Sequence, residues 1–153
     1  MDTPTQLSTV RLTWDGERRF DAGRLGGPTN RLDGDALTGP SPVDALISAL
    51  AACSAIDLVD ILAKRRTPVS SLVIDAVGAR AHTIPKRVTA VDLTFHVNGD
   101  GIDRSHAERA VELAVTKYCS VRDTLDAELP IRYVVALNGV AGATITAGGH
   151  RPA

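Results

Sequence analysis

Residues 8–14 (STVRLTW) alternate apolar Val10, Leu12 and Trp14 with polar neighbours, the period-two pattern of a half-buried strand. Asp15-Gly16 follows as a hairpin turn, with 17–22 as the returning strand. From 23 to 39 glycine, aspartate and proline dominate and only 29–33 (TNRLD) has strand character, which predicts a long loop. The pattern changes at Ser41-Pro42-Val43-Asp44. Serine at the N-cap, proline at the first helical position and an acid three residues after the cap form a capping box. A helix is therefore predicted from Pro42 to about Arg66, where Thr67-Pro68 stops it. Between Ala45 and Ile56 only Ser48 and Ser54 interrupt the apolar residues, and a helix that is apolar on every face is a buried one.

Two strand-like runs come next, 69–80 and 87–97, the second with Val91, Leu93, Phe95 and Val97 on one face. Asn98-Gly99-Asp100-Gly101 ends that run. A second helix, capped by Asp103 or Ser105, is predicted to continue to about Asp126, with Ala107, Ala110, Val111, Ala114, Tyr118 and Cys119 along one side. A final strand covers 131–137, and the tail 138–153, rich in Gly, Ala and Thr, is predicted to be mobile.

The order β-β-(β)-α-β-β-α-β predicts a single α+β domain over 1–153 with its core at about 8–137, an antiparallel sheet packed on two helices. One small sheet covers only one face of the long central helix. A homodimer in which two such helices share a core is the simplest way to cover the other.

Composition narrows the function classes. A chain of 153 residues holds one domain at roughly 100–200 residues each. With five aromatic residues, the core must be built from Val, Leu, Ile and Ala. A net charge of −1 lacks the basic footprint that phosphate binding needs, so no nucleic-acid partner is expected. Nor is a membrane partner expected: no stretch reads as ~20 consecutive apolar residues, and MDTPTQLST has neither a basic nor an apolar leader region. The expected location is the cytoplasm, where disulfides are mostly transient and catalytic or redox-sensing.

Cys53 and Cys119 stand 66 positions apart and belong to no CxxC motif. His82, His96, His106 and His150 are scattered, so no metal site is expected. Taken alone, both cysteines read more readily as small core hydrophobes than as reactive groups. Burial in apolar surroundings raises a thiol pKa, and Cys53 is too far along its helix to profit from the N-terminal dipole. A reactive Cys53 would need a nearby cation.

The segment GPSPVDALISALAACSAIDLVDILAKRR resembles the central-helix signature of the OsmC/Ohr (organic hydroperoxide resistance) family, and ERAVELAVTKYCSV resembles that family's second cysteine helix. The resemblance covers about 8–137, and Cys-Ser-Ala-Ile-Asp and Tyr-Cys-Ser-Val are similar to an OsmC-like branch. It implies an intertwined homodimer with a long buried central helix and a thiol peroxidase in oxidative stress defence. In that resemblance Cys53 is the peroxidatic and Cys119 the resolving cysteine. Organic hydroperoxide is the implied substrate, a lipoyl-type dithiol the external reductant, and no cofactor is bound. The activating cation implied is Arg18 or Arg19, ahead of Arg31. The acid implied is Asp44, one position later than in the strict peroxidase branch, which has Val43 at its own acid position. Asp44 lies nine residues before Cys53, half a revolution away at ~100° per residue, and equally serves the capping box. Asp57, one turn beyond Cys53, is placed to tune the pocket but would disfavour a thiolate there, and it equally suits a bond across the dimer. Two other readings remain open: a non-enzymatic small-ligand binding protein of the same fold, and a redox sensor.

Overall fold

The computed structural model describes residues 3–147, which fall into two compact units that divide between Leu46 and Ile47. The first unit is an antiparallel meander of β1 (Arg11–Trp14), β2 (Arg19–Gly23) and β3 (Thr29–Asp33). β1 begins three residues later than the alternation predicts. Its turn is also longer than Asp15-Gly16 alone: Glu17 has φ 49° and Trp14 pairs with Phe20, so 15–18 form the loop and the return strand starts at Arg19. The Trp14 indole N–H donates to the Glu17 carbonyl at 2.9 Å, fixing the loop from inside.

Beyond β3 the chain folds back tightly. A Cβ on Gly39 would lie 2.6 Å from the Arg31 carbonyl oxygen, so only glycine allows this approach. Asp33, 3% exposed, organises the loop. Its Oδ1 accepts from the Asp35 N–H at 2.9 Å, and its Oδ2 accepts from the Thr38 N–H at 2.9 Å and the Thr38 hydroxyl at 2.8 Å. These bonds, the one from Asp35 foremost, hold its pKa down from 3.8 to about 2. Because the folded value is the lower one, the carboxylate's contribution to stability is present above the ordinary range and lost as pH falls through about 2. Urea midpoints should therefore fall less steeply between about pH 4 and about pH 2 in Asp33→Asn than in the parent chain. Parallel pH profiles for the two chains would refute this role.

Helix α1 (Pro42–Lys64) begins on the predicted box. Asp44 Oδ2 accepts from the Ser41 N–H at 3.2 Å and from its hydroxyl at 2.7 Å, while the Asp44 N–H donates to Ser41 Oγ at 3.2 Å. The helix closes two residues before the predicted end. Arg66 turns left-handed at φ 63°, and the Thr67 N–H reaches back to the Leu62 carbonyl at 3.1 Å, the wide closing bond of a helix C-terminus. Contrary to expectation, α1 is not buried on every face. Leu50, Ser54, Leu58 and Leu62 form the buried stripe at four-residue spacing, whereas Ala49, Ala52, Ile56, Val59 and Ala63 are exposed. Those exposed residues repeat at alternating intervals of three and four, the seam of a helix meant for another helix. Contrary to the expectation that no stretch is long and apolar enough, α1 could cross a membrane by length and hydropathy. Its buried stripe packs into the same cluster as β5 and β6, the arrangement of a core helix.

The second unit carries a five-stranded sheet: β4 (Ser71–Arg80), β5 (Val88–Asn98), β6 (Ile131–Leu137), β7 (Val140–Ala141) and β8 (Ile145–Ala147). The sheet is mixed rather than wholly antiparallel. β5 and β6 run parallel, Val91 opposite Ile131, because the chain between them crosses over through helices instead of a hairpin. Val91, Leu93, Phe95 and Val97 are buried as the alternation predicts, and the Phe95 and Tyr133 rings meet edge to face with centroids 6.4 Å apart. The predicted mobile tail is ordered through Ala147. Asn138 and Gly139, with φ 47° and 84°, turn the chain so that Leu137 pairs with Val140, and β8 returns along β6. The rest of that tail, 148–153 with His150, lies outside the described residues.

The second helix is interrupted. α2 (Arg104–Leu113), capped by Asp103, whose carboxylate accepts from the His106 N–H at 2.9 Å, gives way to a π-helical turn, Ala114–Tyr118. Cys119 is extended at φ −71°, ψ 102°, and α3 (Ser120–Thr124) follows. Ala107, Ala110, Val111 and Ala114 are buried as expected. Tyr118 is 49% exposed instead, since a π turn takes more residues per revolution and carries later positions off the inward face.

Candidate functional site

Two elements of the second unit bring the thiols together. Cys53 lies mid-way along α1, half-buried, one residue from the inward stripe and packed against the core cluster. Cys119, at the break that follows the π turn, is 3% exposed. Both are free thiols. The break, not a continuous helix, orients Cys119: as the N-cap of α3 its sulfur accepts the Arg122 N–H at 3.3 Å. On its other side the sulfur approaches the Leu50 carbonyl of α1 at 4.0 Å. Ser54, one turn further along α1, donates its hydroxyl to that same carbonyl at 3.1 Å.

The electrostatics of Cys119 follow from this packing. Burial is the largest influence and pushes the thiol pKa up; the Arg122 N–H pulls it down, the nearby Cys53 side chain pushes it up, and Ser54 pulls it down. Cys119 is thus a shielded thiol near a more accessible one. Two sulfurs 66 positions apart in sequence become neighbours because α1 and the β5-to-β6 crossover pack on one core.

Apart from Asp57, the remaining sequence candidates belong to the first unit and are engaged there. Arg18 pairs with Asp35 at 2.6 Å. Arg31 grips Asp21 with two hydrogen bonds, 2.7 and 3.0 Å, and reaches Asp15 at 2.7 Å. The first of these contacts holds the Asp21 carboxyl below its usual range and raises Arg31 above its own. Arg19 stands 3.9 Å from Glu17, and its Nε is buried without a hydrogen-bond partner among the described residues. Asp44 serves the capping box. Asp57 is half-buried on α1, one turn beyond Cys53. Among the described residues no group of three or more His, Cys, Asp or Glu could hold a metal ion.

Sequence reasoning passed over three groups at the sulfurs: Ser54, the Leu50 carbonyl and the Arg122 N–H. Ser54 read only as a gap in an apolar run. The signal that could have found it is its position, next to Cys53 and four residues after Leu50, where an alanine-rich helix has no structural need of a hydroxyl.

Comparison with known proteins gives concordant matches. The OsmC-like protein family model matches residues 33–134. Protein YhfA of Escherichia coli (strain K12) is 35% identical over 94 residues, 61% of this chain and 70% of YhfA. The OsmC like protein from Mycoplasma pneumoniae superposes with a TM-score of 0.74 at 17% identity, covering 86% of this chain and 97% of its own. The organic hydroperoxide resistance protein OhrB of Bacillus subtilis superposes with a TM-score of 0.58, also at 17% identity, covering 85% of this chain and 99% of its own. At such identities the two structures share a fold.

Proposed function

The chain belongs to the OsmC-like protein family, and on that premise we propose that it is a thiol-dependent peroxidase that reduces organic hydroperoxides. The observation that supports this reading is the placing of a half-exposed Cys53 near a buried Cys119 on one core. Exposure suits the first sulfur to meet peroxide, and shielding suits the second to wait. In the reaction, the Cys53 thiolate attacks the distal peroxide oxygen; the O–O bond breaks, the alkoxide takes a proton and leaves as alcohol, and Cys53 becomes a sulfenic acid. Cys119 then condenses with that sulfur and water leaves, and a dithiol reopens the disulfide by exchange. The reductant is an external lipoyl-type dithiol, the compartment the cytoplasm and the role oxidative stress defence. OhrB, whose name is organic hydroperoxide resistance protein, supports the choice of substrate class.

The active form is a homodimer in which the exposed seam of α1, from Ala49 to Ala63, meets its copy. Three alanines in that seam allow two helices to approach closely.

One equivalent of cumene hydroperoxide, followed by mass spectrometry, tests the reading. A mass lower by two protons, joining the Cys53 and Cys119 peptides, is the expected result. An unmodified dithiol would overturn it and leave the small-ligand binding protein standing. Replacing Arg18, Arg19 and Arg31 by methionine in turn then tests each as the activating cation: a required one slows the first step.

A further inference from the structure

Among the described residues, leaving aside the Tyr133 phenol, two polar side chains are buried, Asp33 and Ser54. The Asp33 loop uses its carboxylate fully. Ser54, 0% exposed, has no comparable structural duty. Its hydroxyl donates at 3.1 Å to the Leu50 carbonyl, an acceptor that the helix already employs for the residue-54 N–H. Alanine at 54 would hold the helix better, and alanines stand at 49, 51, 52 and 55. The same carbonyl is the one Cys119 approaches at 4.0 Å, so hydroxyl, carbonyl and sulfur form one cluster, closed on the far side by the Arg122 N–H at 3.3 Å.

We propose that Ser54 is a positioning residue for disulfide closure: its hydroxyl turns from the Leu50 carbonyl to the Cys119 sulfur when that sulfur loses its proton, and with the Arg122 N–H it holds the thiolate aimed at Cys53. The inference rests on the peroxidase reading above. In the step concerned, the Cys119 thiolate attacks the Cys53 sulfenic sulfur, the S–S bond forms and the S–O bond breaks. The departing hydroxide takes up the proton given up by Cys119 and leaves as water. The oxidising equivalents are those already delivered by the hydroperoxide, and no further oxidant is consumed. A buried thiolate without donors would be costly, and two donors at fixed positions offset that cost where water cannot. Ser54 indeed acts on the Cys119 pKa in the direction this requires, against the upward push of burial.

Of the other titratable groups about Cys119, Asp123 of α3 donates its backbone N–H to the Cys119 carbonyl at 3.1 Å. Cys53 lies near it on α1, with Asp57 one turn further along the same helix. The Arg122 guanidinium of α3 is committed to the carbonyls of Asp126, Ala127 and Leu129 at 3.0, 3.1 and 3.3 Å. Lys117 of the π turn lies over the Tyr118 ring at 5.4 Å. The strands of this core add aliphatic side chains and the Phe95 and Tyr133 rings, of which only Tyr133 titrates.

Two measurements test the proposal. In Cys53→Ala, which leaves Cys119 as the one thiol of the chain, thiolate absorbance in the ultraviolet is titrated with and without Ser54→Ala. The added substitution should move the profile to higher pH by about one unit. A merely structural loss of packing would admit water and move it to lower pH, so an unchanged or lowered profile overturns the proposal. In the otherwise unaltered chain, cumene hydroperoxide is added, the sulfenic acid is trapped with dimedone and closure is followed by mass spectrometry. Ser54→Ala should form sulfenic acid within about twofold of the parent rate and close the disulfide about tenfold more slowly. Equal closure rates overturn the role of Ser54. If the parent chain forms no sulfenic acid, the peroxidase reading fails by itself, and the titration still decides whether Ser54 stabilises the thiolate.

Discussion

Replacing Cys53 by serine should lower hydroperoxide turnover by about a thousandfold or more, because a hydroxyl cannot stand in for a thiolate nucleophile at neutral pH. Cys119→Ser should behave differently. Its Cys53 still attacks, so one equivalent of alcohol appears in a single burst, but with no second sulfur the sulfenic acid persists and further peroxide drives it to sulfinic acid. Turnover of cumene hydroperoxide with dihydrolipoamide, run beside a single-turnover assay, separates the two variants. Retention of turnover by Cys53→Ser would sink the assignment of the attacking sulfur. Equal bursts from both variants would sink the division of labour between a half-exposed and a buried thiol.

Ile56→Asp should split the homodimer. Ile56 is 64% exposed and occupies the middle of the α1 seam, between Ala52 and Val59. If two seams meet, a carboxylate there must either be buried unpaired or be protonated, and either outcome costs the association about 3 kcal/mol or more. The dissociation constant should then rise at least about a hundredfold. Sedimentation equilibrium reads this directly. The substituted position faces away from the Leu50, Leu58 and Leu62 stripe, so the far-ultraviolet circular dichroism of the monomer should stay close to that of the parent. A parent chain that sediments as a monomer removes the premise.

Much of the architecture was legible wherever local chemistry and tertiary packing agree. The Ser41–Asp44 box marked the start of α1 because both partners of its reciprocal bonds lie within four residues. The burial of Val91, Leu93, Phe95 and Val97 was visible because strand geometry alone sends alternate side chains to one face. Where packing overrides a local pattern, reading failed. Nothing in AVTKY announces a π turn, since its residues suit an α-helix as well, and so Tyr118 was assigned to the inward face that Cys119 does occupy. The burial of α1 was overestimated because composition reports how apolar a helix is, not how much of it one chain can cover. The β7 hairpin was legible and overlooked: Asn138-Gly139 after an apolar strand is a strong two-residue turn signal, masked by the small residues beyond it. For the site, the pairing of Cys53 with Cys119 came from the family resemblance; no spacing rule connects positions so far apart. Ser54 and the Arg122 N–H were out of reach because their relevance depends on which carbonyl and which sulfur the fold brings beside them.

The extended residue between the π turn and α3 has a mechanical consequence. Bonding two sulfurs brings them to about 2 Å, and a thiol embedded in an unbroken helix would have to drag several turns along. Cys119 sits instead at a joint between the π turn and the five residues of α3. A break at the sulfur separates α2 from α3, so closure of the disulfide need not bend one continuous helix.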